Sequence, residues 1–266
     1  MWLVRALDFH PLYSVLAVAG GLTVLYAGLS WPWDVRARLR ALFTRIEYGP
    51  DERPDPRYTL EPVDRERASP VFREFFHHYF VDSILLYRSE VDFGFMRRMG
   101  PEELALARRL VRANLAHGSH FIEGAALLGD REAAPEMHRL LDAERDLGAR
   151  LPIGRALWML ERSTVFPELL SRMVRSRDPA LKQRHCEDVL LLADERAVDL
   201  LLTLSEDGDA GVRDAALSWL SELAGARRPR DAAYFRARCS DAEFRTHLVR
   251  AMNEWRDFKP VVEDPS

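Results

Sequence analysis

The sequence predicts an all-α protein, an α-solenoid of about five helical hairpins preceded by a single transmembrane helix. Three observations carry that expectation. Residues 11–33 contain no charged side chain. Further on, Asp-x-x-x-basic recurs at Asp146…Arg150, Asp178…Lys182, Asp209…Arg213 and Asp241…Arg245, a near-constant period of about 32 residues. Throughout, apolar residues follow helical spacing, and the alternation of a strand is missing.

Composition bounds the rest. The chain has 266 residues, 47 % hydrophobic and 30 % charged, with a net charge of -4. That is too apolar for disorder and too balanced for a generally basic nucleic-acid binder. Two cysteines, Cys186 and Cys239, exclude a disulfide framework and a Cys-only zinc site. Lys182 and Lys259 are the only lysines beside many arginines, a bias that reads as that of a GC-rich genome and not as chemistry.

Residues 1–33 read as a transmembrane anchor. At about 1.5 Å per residue the uncharged run is long enough for a hydrocarbon core of about 30 Å. Trp31 and Trp33 close it where indoles favour the headgroup layer. Only Arg5 and Asp8 precede the run, whereas Asp34, Arg36, Arg38, Arg40 and Arg45 follow it. This excess places the C-terminal side in the cytoplasm, a single-pass protein of the inner membrane in contact with lipid through residues 11–33. A cleaved leader or a periplasmic orientation is the alternative.

Residues 34–70 read as a basic juxtamembrane helix and a linker. Val35, Leu39, Leu42, Phe43 and Ile46 form one helical face, with arginines opposite. Pro50, Pro54, Pro56, Pro62 and Pro70 then keep the chain extended. Residues 71–100 read as an aromatic helical cap. Phe72, Phe75, Phe76, Tyr79 and Phe80 share helical spacing, and Ser69-Pro70 offers an N-cap with a first-turn proline. These rings either cover the end of the next domain or, through Phe72, Phe76 and Phe80, dock a partner.

Residues 101–256 carry the repeat, and 257–266 are a tail. Pro135 and Pro167 stand one period apart, and each precedes an acidic residue and an apolar run. Breaks recur at Gly129-Asp130, Ser163-Thr164, Asp194-Glu195 and Ala224-Gly225. Each second helix has its own apolar stripe, such as Val212, Ala216, Trp219, Leu220 and Leu223. One repeat earlier the stripe is Leu181, Cys186 and Val189–Leu192.

The segment DAGVRDAALSWL at 209–220 resembles the second helix of a HEAT repeat, and GDREAAPEM at 129–137 the start of the first. The likeness is to the short form known from phycobiliprotein lyases, over roughly residues 101–256. It implies that each Asp opens a second helix and that each basic residue reaches toward the neighbouring repeat. It further implies a scaffold, since the motif encodes stacking and not a reaction.

Chemistry-bearing constellations are few. His117, His120 and Glu123 are spaced i, i+3, i+6, while Glu74 and His77 form a Glu-x-x-His that lacks the second motif of a di-iron bundle. Cys186 is the one candidate thiol for a bilin or redox role. No phosphate loop or serine elbow is present. The expectation is therefore no catalytic, cofactor or metal residue. The protein-binding candidates are Arg155, Lys182, Arg184, Arg213 and Arg245 with Phe72, Phe76 and Phe80. The cations form a row that reads an acidic partner, or else a structural ladder. Glu161, Glu187, Asp188, Asp214 and Glu222 offset them, which argues against nucleic acid. The favoured function is a membrane-anchored scaffold that binds a partner protein as a subunit or assembly factor of a membrane complex. The alternative is an enzyme, a chromophore or cofactor lyase.

Overall fold

The structure is a computed structural model and describes residues 53–64, 66–83, 93–226 and 230–254. The chain divides into two units, residues 1–47 with 88–90, and 48–87 with 91–266. The first unit lies outside the described residues. With it lie the anchor at 11–33 with Trp31 and Trp33, and the basic helix with Arg36, Arg38 and Arg40. The tail at 257–266 is outside them too. Among the described residues no helix is long and apolar enough to cross a membrane.

The described part is all-α, with no strand among the described residues. It begins with a strap rather than a free tether. The described residues between 53 and 69 form no helix, as their prolines predict, yet they are pinned to the helices after them. Thr59 N donates to Asn114 Oδ1 at 2.7 Å, and Asn114 Nδ2 returns a bond to Thr59 O at 2.7 Å and a second to Leu110 O. Asn114 is fully buried, so its amide supplies the partners that water gives an exposed strap. Arg109 holds Glu61, and Glu103 accepts from both the backbone N and the Oγ of Ser69. A linker reading misses this because every pin comes from a residue 34 to 55 positions away.

α1 (Pro70–Phe76) starts as expected, with Pro70 in its first turn and Ser69 Oγ accepting from Phe72 N at 3.1 Å. It widens into a π-helical turn, His77–Val81, and a 3-10 turn stands at Phe93–Arg98. Phe72, Phe75, Phe76, Tyr79 and Phe80 are at most 4 % exposed. They stack on one another and, through Tyr79 and Phe80, on Phe121. Gly124 makes this possible, because a Cβ there would fall 2.5 Å from Tyr79 Cε1. The rings are thus the end of the core and not a docking face. Phe72, Phe76 and Phe80 offer nothing to a partner, because their apolar area is already removed from water within the chain.

The helices beyond are α2 (Pro101–Arg112), α3 (Ser119–Leu127), α4 (Ala134–Ala143), α5 (Leu147–Glu161), α6 (Val165–Val174), α7 (Pro179–Arg184), α8 (Glu195–Leu204), α9 (Ala210–Leu223), α10 (Ala232–Arg238) and α11 (Ala242–Glu254). Neighbours in sequence pack together, as α4 does on α5 and α8 on α9. Helices two apart pack as well: α3 on α5, α6 on α8, α7 on α9, and α9 on α11. One continuous apolar core runs from Phe72 to Met252.

A period is visible in the backbone itself. Among the described residues four adopt the left-handed conformation, Gly129, Arg162, Ala193 and Gly225, with φ between 49° and 63°. They stand at or one position before the expected breaks, each about one repeat from the last. Gly129 and Gly225 close Schellman turns, in which Asp130 N reaches Ala125 O and Ala226 N reaches Ser221 O, each at 2.9 Å. At Arg162 and Ala193 a Cβ is carried through the same conformation, which favours glycine.

One expected helix is broken. The stripe over 181–192 divides into the six-residue α7 and a 3-10 turn at Glu187–Leu192, with His185 between them out of helical geometry. The cause is polar. Asp188 is buried and is drawn to Arg155 and His185, while Trp158 Nε1 donates to Leu191 O at 3.1 Å. A uniform helix keeps its carbonyls for itself, whereas this turn releases one to a neighbouring indole.

Candidate functional site

Two polar systems run along the helices, and both are built from the helix starts inward. The first is the aspartate ladder. Asp146 accepts from Ala149 N, Asp178 from Ala180 N and Leu181 N, Asp209 from Val212 N, and Asp241 from Glu243 N, all at 2.9–3.1 Å. Each occupies a donor the first turn leaves open, worth about 1 kcal/mol per helix. Asp194 and Asp231, outside the repeat pattern, cap α8 and α10 in the same way. Any aspartate in extended backbone ahead of an apolar run serves this end, which is why the role is legible in the sequence.

The basic members of the ladder are not equivalent. Lys182 reaches the next turn and pairs with Asp207 at 2.5 Å, with only 10 % of its side chain exposed. The hydrogen bond from this ammonium, and after it the one from Asp209 N, holds the Asp207 carboxyl below its usual range. Arg213 turns back instead, and its Nη1 donates to the carbonyls of Asp207 and Gly208. Arg245 reaches backward to α8, where it pairs with Glu195 and, at 2.8 Å, with Asp199. Arg150 has a buried Nε without a partner. Lys182 and Arg245 thus reach other helices while Arg213 stays within its own loop, and of the candidate cations Arg155, Lys182, Arg213 and Arg245 are all engaged within the chain. The register explains the difference. Lys182 finds Asp207 25 residues on, whereas the residue at the same offset from Arg150 is a cation, Arg175.

The second system is a part-buried charge row, of which Asp188 is the buried member. Glu123 on α3, Arg155 on α5 and Asp188 in the 3-10 turn stand 32 and 33 residues apart. Arg155 Nη2 donates to Glu123 Oε1 at 2.9 Å and Nη1 to Asp188 Oδ1 at 3.2 Å; His185 Nδ1 lies 2.7 Å from Asp188 Oδ2. The exposures of the Arg155, Glu123 and Asp188 side chains are 19 %, 33 % and 9 %. Burial works against the guanidinium, but Asp188 and Glu123 outweigh it and keep the Arg155 pKa above its usual value. Arg155 therefore ties α3, α5 and the 3-10 turn together and is not offered to a partner. The sequence contained a signal for this row, the spacing of Glu123, Arg155 and Asp188 at the repeat period. Of the cation candidates only Arg184 is exposed.

The candidate chemical groups do not form a site. His117 sits in a short 3-10 turn while His120 and Glu123 sit on α3, with extended Gly118 between them. His120 is buried against Tyr58, Tyr79 and Phe121, and burial lowers its pKa to about 4. His78 is likewise lowered to about 4, by burial first and by His77 second. Among the described residues no group of three or more His, Cys, Asp or Glu side chains is placed to hold a metal ion. Cys186 is 1 % exposed, and burial, reinforced by Glu187 and Asp188, pushes its thiol up to about 12. Such a thiol is a poor nucleophile, because the thiolate is the reactive form.

No family model matches this chain, and no curated protein and no solved structure shows significant similarity to it.

Proposed function

We propose that this protein is a membrane-anchored scaffold: an α-solenoid of HEAT-like hairpins, behind a transmembrane segment at 11–33, that holds a partner protein within a membrane complex. The observation that carries the reading is the recurrence of a left-handed break once per repeat, with helices packing on their second neighbours. A chain built this way lengthens by adding equal units and presents long surfaces, and its recurring polar residues serve stacking rather than turnover. The uncharged run and the arginines behind it support the anchor and a cytoplasmic repeat domain. Tethering raises the concentration of the repeats against other proteins of the same membrane. The buried thiol of Cys186 and the internal use of Arg155, Lys182, Arg213 and Arg245 weigh against a lyase. The test is extraction of the tagged full chain from native membranes in mild detergent, followed by mass spectrometry of what elutes with it. One membrane protein in fixed ratio is the expected result. A clean monomer, or a chain that stays in the soluble fraction, overturns the reading.

A further inference from the structure

The turn between α6 and α7 differs in charge from the turns beside it. Residues 171–184 carry Arg172, Arg175, Arg177, Lys182 and Arg184 against one carboxylate, Asp178. Asp178 is engaged in capping α7, and Lys182 is buried on Asp207. The side chains of the other four cations are exposed, and among the described residues none of them takes part in a hydrogen bond, an ion pair or a ring contact. Many arginines elsewhere are matched: Arg109 by Glu61, Arg112 by Asp130 and Glu132, Arg139 by Glu136, Arg196 by Asp194, Arg236 by Glu206.

The adjoining turns sharpen the contrast. The next one, between α8 and α9, is acidic, but its acids are already occupied: Glu206 by Arg236, Asp207 by Lys182, and Asp209 by Gln183 and the α9 N-terminus. On the other side, the start of α5 adjoins α7, since a Cβ on Gly148 would lie 3.3 Å from Leu181 Cδ1. That start contributes Arg150 with its unpartnered Nε. Its carboxylates are engaged with backbone amides, Glu144 with the amides of Arg145 and Asp146, and Asp146 with that of Ala149. The exposed acids nearby are Asp142, Glu168 one turn ahead of Arg172 on α6, and Glu187 after Arg184, so the exposed arginines still outnumber them at the turn itself.

We infer that this turn is a docking surface for an anionic lipid face, with Arg172, Arg175, Arg177 and Arg184 set against headgroup phosphates. The patch is cationic and exposes no large apolar side chain; Tyr234, on α10, is the exposed large apolar residue among the described ones. Protein interfaces draw their affinity from aromatic and aliphatic anchors in pockets, which this surface lacks. A polybasic surface held near an anionic leaflet requires none, because its attraction sums over charges within a Debye length. Arginine also suits phosphate through its forked donors. The inference rests on the proposed anchor only for the source of the membrane; the charge pattern stands without it.

The test reconstitutes the full chain with vesicles of neutral phosphatidylcholine and with vesicles of phosphatidylcholine and phosphatidylserine mixed two to one. Flotation in high salt, where the Debye length shrinks to a few ångströms, reads the anchor, and hydrogen exchange over residues 171–184 reads the patch. The expected result is slower exchange, by at least threefold, with the anionic vesicles only, reversed by salt and abolished in R172Q/R175Q/R177Q/R184Q. Because these four side chains form no polar or ring contacts among the described residues, the variant is expected to melt with the parent. If the chain fails to float with neutral vesicles at high salt, the anchor falls; salt-sensitive protection of residues 171–184 by anionic vesicles alone still upholds the patch. Equal exchange with both vesicles, protection by duplex DNA in their place, or protection that persists in the variant overturns it.

Discussion

Replacing Arg155 by methionine removes a cation that joins α3, α5 and the 3-10 turn while keeping most of the buried stem. Two carboxylates then lose their partner. Glu123 is a third exposed and is rehydrated at little cost. Asp188 is 9 % exposed and keeps the His185 ring at 2.7 Å. Removing one member of a buried pair costs about 3–5 kcal/mol. The lower end applies here, about 3 kcal/mol, since Arg155 is itself a fifth exposed and His185 remains. In a helical unit of this size each kcal/mol moves the melting temperature by about 2–4 °C, so the drop is about 6–12 °C. Asp188→Asn in the same background removes the orphaned charge and recovers part of the loss, a coupling of about 1–3 kcal/mol in a double-mutant cycle. Circular dichroism melts and urea titrations of the full chain in mild detergent measure all four corners. An R155M variant that melts with the parent, or additive single effects, refutes the argument that Arg155 joins these elements electrostatically.

Other expectations follow from single positions. Ala193→Gly relieves a left-handed alanine and raises stability by about 0.5–1 kcal/mol, read as a higher melting temperature, whereas Gly129→Ala places the same strain at an equivalent break and lowers it by about 1–2 kcal/mol. Gly124→Ala drives a methyl into the rigid, buried ring of Tyr79 and costs about 2–3 kcal/mol; Gly154→Ala overlaps the tip of Leu169, which yields more readily than a ring, and only touches Phe166 at ordinary contact distance, so its loss is less than half as large. A reversed order of these two in a thermal melt contradicts the packing at the aromatic end. His78 and His120 are neutral in the fold, with pKa values of about 4 against about 6.5 unfolded. The unfolded chain therefore binds protons first. The contribution is complete above the unfolded value and is lost as pH drops toward the folded one, by about 2 kcal/mol for each ring after allowance for solvent screening. Urea midpoints across that range check it, and replacing both histidines by glutamine flattens the slope.

Much of the fold was legible because it is decided locally. An aspartate capping the amides two or three residues ahead, a proline in a first turn, and a left-handed residue after a helix are contacts within a few positions of the chain. Their recurrence once per repeat was therefore readable in letters: Asp146, Asp178, Asp209 and Asp241 all cap, and the breaks lie at or one residue beside the backbone reversals. The aromatic end was legible as apolar but not as wholly buried, since the hollow that admits Tyr79 is set by Gly124, far along the chain on α3.

The sequence by itself thus determined the all-α class, the period of the breaks and the helix starts at the aspartates, though not the division of the 181–192 stripe. Only the tertiary structure decided which charges are matched. Lys182, Arg213 and Arg245 share one motif position, yet one pairs forward, one folds back on its own loop, and one reaches a helix 46 to 50 residues earlier. A guanidinium or ammonium is satisfied by whatever acceptor lies within about 3 Å, and that distance is set by packing between helices, not by the spacing of letters. The same packing pins the strap ahead of α1 through Asn114, seats Arg155 between two carboxylates, and leaves the arginine side chains of the α6–α7 turn without polar partners among the described residues.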